Sequence, residues 1–468
     1  MTISNEWLKN VAEIIGEENI ISDPAVLESY SHDEYPQKAI AVVPQLVLLP
    51  GNEEEIALIV KKCGKYSVPV TTRGGGTGLS GGCVPTQDSI VISLKRMNRV
   101  VGSNKTNRTI TVQAGMPLHN LYKEVEALDL FFPPHPGDEG AFIGGTVATN
   151  AGGARAVKYG TVKNFVRGIQ VVMPDGNITE FGGELVKSST GYNLRDLFIG
   201  SEGTLGIITR ITLMLLPKSD YTTTLVAPYN SIHKAIGTVP KIIASGIIPT
   251  AVEFIEHSVL RGIEKMLNLK WPAQTGIASL MFILDGKSED IVMEDADKLA
   301  TLLESSGADD ILIAENKSKQ ADILKIRSSI YESLREAIVE LFDICVPVSE
   351  IANHIDFVHH LEKKYDCCLP SFGHAADGNV HTHFLTKKLI DGEFKDPIPD
   401  WENILKKVKK ELYGDAIKRG GVISGEHGIG KVKRSFLEET IGSVQIEIMR
   451  KIKKAIDPLN IMNPGKIL

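Results

Sequence analysis

A dense glycine cluster constrains the fold of this chain more than any other feature. Residues 73–82 read Arg-Gly-Gly-Gly-Thr-Gly-Leu-Ser-Gly-Gly and follow a short segment, residues 68–72, that predicts a strand. Six glycines in nine positions leave backbone N–H groups uncovered by side chains, which suits a cradle for a pyrophosphate. The cluster predicts either an anion-binding loop between two strands or a flexible turn without a ligand.

The same cluster matches the dinucleotide-binding fingerprint, because Gly76, Gly78 and Gly81 have the spacing G-x-G-x-x-G. That fingerprint requires a helix directly after the loop, so that the helix N-terminus faces the phosphates. Here residues 82–85 contain a proline, and residues 89–94 predict another strand. The sequence therefore disfavours a Rossmann-type nicotinamide site and favours a strand–loop–strand cradle.

Two further glycine-rich stretches lie in the first half of the chain, at residues 135–153 and 200–209. Their small residues allow close approach of a flat ring or a long cofactor. Tight turns explain either stretch alone. Three such clusters in one predicted domain together indicate a large bound cofactor.

Composition excludes several classes of protein. The chain has 468 residues, a formal net charge of −7 and a pI near 6.0, which argues against a protein that coats nucleic acid. No run of about 20 apolar residues predicts a membrane span, and the N-terminus lacks the pattern of a signal peptide. The five cysteines form no CxxC pair, which predicts a cytoplasmic protein without an iron–sulfur relay of its own.

Secondary-structure patterns divide the chain into three predicted parts. Residues 1–217 alternate helices and strands around the glycine loops, with a core over 38–217. A shift in composition after Pro217 predicts a separate α+β domain over 218–420, and residues 421–468 form a C-terminal segment. The predicted elements include helices that begin after Asp23 and Asn52, the second ending at Gly64, a β-hairpin within 170–181, and helices over 289–305 and 319–341.

Histidines cluster in two motifs of the second half. Residues 374–383 read His-Ala-Ala-Asp-Gly-Asn-Val-His-Thr-His, so His381 and His383 would share one face of a strand. A turn before that strand could bring His374 back to His381. The second motif is Gly-Glu-His-Gly at residues 425–428. Two imidazoles and a carboxylate commonly hold a divalent metal, and the alternative is a hairpin with surface histidines.

A nucleotide-binding P-loop is a competing interpretation of the second motif. Residues 425–431 match the first seven positions of that loop. Val432 stands where the P-loop has the Ser or Thr that holds magnesium, and no strand–loop–long helix context is clear. The sequence disfavours this interpretation.

These motifs together resemble the family of FAD-linked D-2-hydroxyacid dehydrogenases, which includes D-lactate dehydrogenases and a flavin-binding component of glycolate oxidase. The resemblance extends from about residue 38 to the C-terminus. It implies an α+β protein with a vanillyl-alcohol oxidase (PCMH) type FAD-binding domain and an α+β substrate or cap domain. A short C-terminal helical segment would return to the flavin site.

The resemblance also implies which residues bind FAD. The loop at 73–82 would hold the pyrophosphate, and Asn463 and Lys466 would lie near the flavin ring. Thr77 stands where some relatives carry the histidine that attaches the flavin covalently, so we expect non-covalent FAD. The expected FAD-binding residues are Arg73, Gly74, Gly75, Gly76, Thr77, Gly78, Pro136, Gly137, Asp138, Gly144, Gly145, Thr149, Asn150, Gly153, Gly160, Gly203, Ile208 and Asn463.

In the family, the residues matching His374, His381 and Glu426 bind a divalent metal, here zinc, iron or manganese. The residue matching His427 is the catalytic base. His383 falls where some relatives have asparagine or proline, which leaves its role open.

Arg327 resembles the family arginine that clamps the substrate carboxylate, since a guanidinium pairs with a carboxylate through two hydrogen bonds. The alternative is a solvated charge on a helix. Leu341 stands where some dicarboxylate-oxidising relatives have a basic residue. This difference favours a short substrate, D-lactate or glycolate, over D-2-hydroxyglutarate.

The resemblance thus implies oxidation of a D-2-hydroxy acid, most simply D-lactate to pyruvate. The metal would lower the pKa of the substrate hydroxyl, His427 would accept its proton, and hydride from C2 would pass to flavin N5. Electrons would leave to electron-transfer flavoprotein, which we favour, or to an iron–sulfur subunit. Competing functions are a non-redox transferase resembling alkylglycerone-phosphate synthase and a non-catalytic FAD-binding subunit, and the histidine motifs argue against both.

Overall fold

A computed structural model describes residues 3–314 and 316–468 of the chain. The chain forms two compact units, each built from separate segments of the sequence. Unit 1 contains the residues up to Gly152, together with Thr161–Lys218 and Glu426–Leu468. Unit 2 contains Gly153–Gly160 and Ser219–Gly425.

The helices of the described residues are mostly short in unit 1 and longer in unit 2. In chain order they are α1 (Asn5–Ile15), α2 (Pro24–Leu27), α3 (Glu53–Tyr66), α4 (Leu118–Ala127), α5 (Ile143–Thr149), α6 (Ala156–Tyr159), α7 (Arg195–Phe198), α8 (Ile232–Ala244), α9 (Leu260–Leu267), α10 (Glu289–Ser305), α11 (Lys317–Ser328), α12 (Ile330–Leu334), α13 (Ile351–Tyr365), α14 (Trp401–Lys418), α15 (Leu437–Ile441) and α16 (Ser443–Ile456). None of these helices is both long enough and apolar enough to cross a membrane.

The strands of the described residues form three sheets in unit 1 and two in unit 2. In chain order they are β1 (Ile20–Ile21), β2 (Val47–Leu48), β3 (Val70–Arg73), β4 (Ile90–Ser93), β5 (Val100–Asn104), β6 (Thr109–Gln113), β7 (Leu130–Phe131), β8 (Val166–Val172), β9 (Ile178–Gly182), β10 (Ile207–Met214), β11 (Leu216–Pro217), β12 (Tyr221–Tyr229), β13 (Ala251–Glu256), β14 (Ala278–Gly286), β15 (Leu312–Ile313), β16 (Ile338–Cys345), β17 (Ser371–His374), β18 (Asn379–Leu385), β19 (Lys387–Ile390) and β20 (Glu393–Pro397).

Two main sheets organise unit 1. The first has the order β1-β2-β4-β3, in which β2, β4 and β3 are parallel. The second is antiparallel and has the order β5-β6-β10-β8-β9. The strands β8 and β9 pair as the antiparallel hairpin that the sequence predicts within 170–181.

The glycine cluster lies between β3 and β4 of the parallel sheet. Residues 74–89 contain no helix, and β4 follows them, so the strand–loop–strand prediction is confirmed. The C-terminal end of the chain also reaches this sheet, because Asn463 N donates to Val70 O at 2.7 Å. Two regions that are far apart in sequence therefore meet at this sheet.

Helix α3 begins where the sequence predicts it to begin. The Asn52 side chain accepts a hydrogen bond from Glu55 N at 2.9 Å, which caps the first turn. The predicted end at Gly64 is wrong, because the helix continues to Tyr66 and Ser67 takes the left-handed conformation with φ 54°. A non-glycine residue thus provides the cap for which glycine is the usual signal.

Unit 2 is built around a seven-stranded antiparallel sheet in the order β15-β12-β14-β13-β17-β18-β16. Helix α10 has the predicted bounds, 289–305. The single helix predicted over 319–341 is wrong, because it is replaced by α11, α12 and the start of β16. Residues 338–345 pair with β18 along their length, so tertiary pairing outweighs the local helical pattern.

Candidate active site

The first glycine loop of unit 1 packs backbone against backbone on the second glycine-rich stretch. A Cβ atom at Gly75 would lie 2.9 Å from Gly140 O, which is too close for any side chain. A Cβ at Gly74 would lie 3.4 Å from Phe142 Cβ and 3.8 Å from Gly145 Cα. The glycines at these positions let the two loops approach closely.

Other glycines of the same loops face open space. A Cβ at Gly137 or Gly145 would meet no atom within 4 Å. The loops therefore combine close mutual contact with an uncovered side, as a cradle for a flat cofactor requires. This geometry fits FAD.

Two polar side chains from the C-terminus of unit 1 complete the cradle. Asn463 Nδ2 donates to Gly82 O at 2.9 Å and to Glu202 O at 2.7 Å, while its buried Oδ1 has no hydrogen-bond partner among the described residues. Lys466 is 2% exposed, and burial, followed by the charge of Lys431, lowers its pKa to about 8. An unpaired acceptor can bind an N–H donor of a flavin ring, and a buried cation can bind its carbonyl edge.

The loop that carries Glu426 and His427 is also anchored in unit 1. Ser80 of the first glycine loop donates from Oγ to His427 O at 3.0 Å, and Ser80 O accepts from Lys431 N at 3.0 Å. His427 Nε2 lies 3.8 Å from Glu426 Oε1. A Cβ at Gly152 would lie 2.8 Å from Glu426 Oε2, so Glu426 packs on the end of the second glycine-rich stretch.

Glu202 is a buried anchor of that loop which the sequence interpretation missed. Its Oε1 accepts from Ile429 N at 2.7 Å and its Oε2 accepts from Gly430 N at 2.8 Å. Burial raises the pKa of Glu202 despite these two donors. The residue lies within Gly-Ser-Glu-Gly-Thr-Leu-Gly, in which the glycine spacing predicts a close approach of the backbone but not a role for the glutamate.

In unit 2 the histidine motif forms a buried hairpin of β17 and β18. Phe372 pairs with His381 and His374 pairs with Asn379 across the two strands. The His374 and His381 rings lie perpendicular, with centroids 5.3 Å apart. The prediction that a turn returns His374 to His381 is confirmed, and the alternative of surface histidines is wrong because His374, His381 and His383 are all buried.

Each of the first two histidines has a carboxylate directly opposite on a neighbouring strand. Glu253 of β13 pairs with His374, and its Oε1 lies 2.7 Å from His374 Nδ1. Asp343 of β16 pairs with His381, and its Oδ1 lies 3.7 Å from His381 Nδ1. The sequence interpretation missed both carboxylates, because only the strand order of the sheet brings them to the histidines.

Arg327 of α11 also contacts Glu253. Its Nε donates to Glu253 Oε2 at 2.7 Å, and its Nη2 forms an ion pair with the same oxygen. Burial favours protonation of Glu253, but the charge of Arg327, together with the hydrogen bonds from Arg327 and His374, outweighs it and lowers the pKa of Glu253 to about 2. Arg327 is therefore not the solvated helix charge that the sequence left as an alternative.

Phe372 provides an aromatic surface beside these polar groups. The Arg327 Cζ lies 4.9 Å from the centre of the Phe372 ring. The His383 ring stacks on the same ring, with centroids 4.9 Å apart and an interplanar angle of 15°. His383 thus packs against the residue that supports Arg327.

The last residues of unit 2, Ser424 and Gly425, contact Asp343. Ser424 Oγ donates to Asp343 Oδ2 at 2.8 Å, and Gly425 N donates to Asp343 O at 2.9 Å. The next residue in the chain is Glu426, the first residue of unit 1 in this part of the sequence. Asn379 Nδ2 donates to the other oxygen of the Asp343 carboxylate at 2.9 Å.

The predicted site residues divide between the units. Arg327, His374 and His381 lie together in unit 2, whereas Glu426 and His427 lie in unit 1. The expected FAD-binding residues lie in unit 1, with the exception of Gly153 and Gly160, which lie in unit 2.

Comparison with protein families defines the class of this chain. Residues 44–182 match the model of an FAD binding domain, and residues 218–467 match the model of FAD linked oxidases, C-terminal domain. Among solved structures, p-cresol methylhydroxylase with substrate bound superposes with a TM-score of 0.79 at 17% identity, covering 99% of this chain and 96% of that one. The chain is a flavoprotein oxidoreductase with the predicted vanillyl-alcohol oxidase type fold.

Full-length relatives define the family more closely. The chain is 40% identical to D-lactate dehydrogenase of Archaeoglobus fulgidus, with 99% of each chain covered. It is 36% identical to glycolate oxidase subunit GlcD of Bacillus subtilis, with 99% of this chain and 97% of that one covered. The chain therefore belongs to the FAD-linked oxidase family that contains these D-lactate dehydrogenases and glycolate oxidase subunits.

Proposed function

We propose that this enzyme oxidises a short D-2-hydroxy acid and that its main substrate is D-lactate, which it converts to pyruvate. The reaction would use non-covalently bound FAD and one divalent metal. The observation that carries the proposal is the buried hairpin of unit 2, where His374 and His381 lie beside carboxylates and Arg327. Relatives at 37–40% identity over their full length are named D-lactate dehydrogenase, which supports the choice of substrate. Glycolate is the second candidate, since a relative at 36% identity is named glycolate oxidase subunit GlcD.

The proposed roles follow from the chemistry of the side chains. Arg327 binds the substrate carboxylate through the edge of its guanidinium that Glu253 does not occupy. His427 accepts the proton of the substrate hydroxyl, a role that suits an imidazole near neutral pH. FAD, when bound, supplies the acceptor for the hydride that leaves C2.

We propose His374, His381 and Glu426 as the ligands of the metal. Imidazole and carboxylate donors suit zinc, iron or manganese, and the metal would act as a Lewis acid toward the substrate hydroxyl. The carboxylate of Glu253 supports the assignment of His374, because metal-bound histidines usually hold a carboxylate with their second nitrogen.

A residue of strand β16 supports the proposal that the substrate is short. Leu341 is buried and lies opposite His383 in the sheet, two residues before Asp343 on the same face of the strand. An apolar side chain at this position offers nothing to a second carboxylate. D-2-Hydroxyglutarate should therefore bind less well than D-lactate.

The electron acceptor is the remaining part of the proposal. The five cysteines are scattered thiols with no CxxC pair, so the chain itself offers no iron–sulfur relay. We propose electron-transfer flavoprotein as the acceptor and an iron–sulfur subunit as the alternative. Copurification followed by measurement of flavin and iron per complex distinguishes the two.

Anaerobic reduction of the flavin tests the substrate directly. We expect D-lactate to bleach the oxidised flavin of the purified holoenzyme, with glycolate slower and L-lactate and D-2-hydroxyglutarate much slower. Treatment with a divalent-metal chelator should abolish the bleaching, and zinc or manganese should restore it. A flavin that stays oxidised with all four acids overturns the proposal, as does full activity in a protein shown to hold no metal.

A further inference from the structure

We infer that Glu253 is the positioning residue that holds the substrate clamp and a metal ligand in one fixed arrangement. The inference rests on the proposed roles of Arg327 and His374. Its structural basis is that one buried carboxylate binds both of these side chains at once.

Glu253 divides its two oxygens between the two partners. Oε1 lies 2.7 Å from His374 Nδ1, and Oε2 accepts from Arg327 Nε at 2.7 Å. The Glu253 side chain is 1% exposed, so water does not compete for these contacts. Glu253 therefore fixes the distance between a guanidinium and an imidazole that come from different elements, α11 and β17.

The contact with Oε1 also determines which nitrogen of His374 serves as a ligand. A carboxylate at Nδ1 favours the tautomer with its proton on Nδ1, which leaves the Nε2 lone pair for a metal. His374 and Glu253 lie directly opposite on neighbouring strands, so the backbone register maintains this pairing. The geometry thus assigns metal binding to Nε2 of His374.

The contact with Oε2 orients Arg327 in a similar way. Glu253 occupies the Nε–Nη2 edge of the guanidinium, and the Arg327 Cζ lies over the Phe372 ring, 4.9 Å from its centre. The guanidinium has a second edge, formed by its two terminal nitrogens, that can receive another carboxylate. Glu253 thereby orients this second edge for a substrate.

A second glutamate of the same strand provides a matched control. Glu256 lies on β13, is also buried, and forms a 2.9 Å contact between its Oε1 and His359 Nε2. It differs from Glu253 in that its partner, His359, is not one of the three proposed metal ligands and it forms no ion pair with Arg327. Loss of a buried glutamate–histidine pair is therefore common to Glu253→Gln and Glu256→Gln, and the effect on the site is expected only in the first.

The experiment compares the holoenzyme variants by zinc binding and by kinetics. In metal-depleted flavoprotein titrated with Zn²⁺, we expect Glu253→Gln to weaken zinc binding by roughly tenfold to a hundredfold. The same variant should raise KM for D-lactate by about tenfold, the effect of one lost charge-assisted hydrogen bond. Glu256→Gln should leave the zinc affinity and the KM for D-lactate within about twofold of the wild type, which is less than the loss of one charge-assisted hydrogen bond would cause.

The Glu253→Asp variant keeps the test valid if Glu253→Gln does not fold. Its carboxylate is one methylene shorter and cannot reach both partners, so zinc affinity, KM or both should still deteriorate. Unchanged zinc affinity and KM in the folded variant overturn the inference, as do equal losses in Glu256→Gln or a wild-type protein that binds no zinc. Zinc binding needs no substrate, so this arm stands even if D-lactate proves not to be oxidised.

Discussion

The two units offer different kinds of binding groups: backbone N–H groups in unit 1 and side chains in unit 2. In unit 1 the glycine loops offer backbone N–H groups, and contacts such as that of Gly75 with Gly140 O leave no room for side chains. In unit 2 the hairpin offers side chains, with a carboxylate opposite each of two histidines. Substitutions in unit 1 should therefore act through steric fit, whereas those in unit 2 should act through charge.

Two buried glutamates show the same difference at the level of single residues. The carboxylate of Glu202 in unit 1 accepts hydrogen bonds from two backbone N–H groups, and burial raises its pKa. The carboxylate of Glu253 in unit 2 contacts the Arg327 guanidinium and the His374 imidazole, and its pKa falls to about 2 despite burial. Two amide donors and the charges of Lys433 and Lys466 thus do not offset the burial of Glu202, whereas the direct contact with the Arg327 guanidinium offsets that of Glu253.

The largest expected effect concerns His427, the proposed catalytic base, which lies in unit 1. We expect His427→Ala to slow flavin reduction by D-lactate by roughly a hundredfold to ten-thousandfold, because the substrate proton loses its acceptor. FAD content should not change, since the contact of Ser80 with this loop uses His427 O rather than the side chain. Stopped-flow absorbance measures the rate.

His233 provides the control, because it is an exposed histidine paired with Asp356 at the surface of unit 2. His233→Ala should reduce its flavin at the wild-type rate. Wild-type reduction by His427→Ala would remove His427 from the mechanism.

The sequence predicts much of this arrangement but not the carboxylates. Glycine spacing identifies the loops of unit 1, and the lack of a predicted helix after residue 82 disfavours the Rossmann alternative. The motif at 374–383 also predicts the turn between His374 and His381, since Asp-Gly-Asn is a strong local turn signal. These features are local, which is why periodicity and turn chemistry reveal them.

Glu253 and Asp343 depend on pairings between distant parts of the chain. Glu253 is 121 residues from His374, and only the order β13-β17-β18-β16 brings the four strands together. The helix wrongly predicted to reach residue 341 covers the first part of β16, so the pairing of Asp343 with His381 could not be inferred. An error in one local element thus concealed a member of the site.

The second prediction uses the two buried glutamates to compare the units. Glu253→Gln should lower the free energy of unfolding by about 3–5 kcal/mol, because it leaves the buried charge of Arg327 uncompensated. Glu202→Gln should cost only about 1 kcal/mol, since the amide oxygen still accepts one of the two backbone N–H groups. Urea unfolding of the holoenzymes measures both values, and equal losses would contradict the contrast between the units.

The third prediction tests steric fit in unit 1 with two neighbouring glycines. A Cβ at Gly144 would lie 2.6 Å from Ala114 Cβ and 2.8 Å from Ala114 O, whereas a Cβ at Gly145 would meet nothing within 4 Å. Gly144→Ala should therefore lower the free energy of unfolding by about 1–3 kcal/mol. Gly145→Ala should leave the apoprotein at least as stable as wild type, since Ala favours the helix at this open position, but weaken FAD binding by roughly tenfold, because its methyl group occupies the open side of the cradle.

Fluorescence titration with FAD and thermal unfolding of the apoprotein separate these two effects. Unchanged FAD affinity in Gly145→Ala would show that the cofactor lies elsewhere. A fully stable Gly144→Ala protein would show that the second glycine-rich stretch can shift without loss.

The smallest expected effect concerns Asp33, another buried carboxylate of unit 1. Burial raises its pKa to about 6, although Tyr35 N donates to its Oδ1 at 3.2 Å and Arg73 lies nearby. Since this value exceeds the unfolded value of 3.8, the folded protein keeps a proton between pH 4 and 6 that the unfolded chain has released. The contribution of Asp33 to stability therefore falls as the pH rises through this window and stays low above it.

Asp33→Asn removes this titration without changing the shape of the side chain. A difference of about two pKa units corresponds to roughly 3 kcal/mol, and relaxation around the carboxylate should reduce the observed change to about 1 kcal/mol. We expect the variant to gain that amount relative to wild type between pH 4 and pH 7, as measured by urea unfolding at both values. Parallel pH profiles of the two proteins would show that Asp33 is compensated as fully as Glu253, and the contrast between the units would then not extend to it.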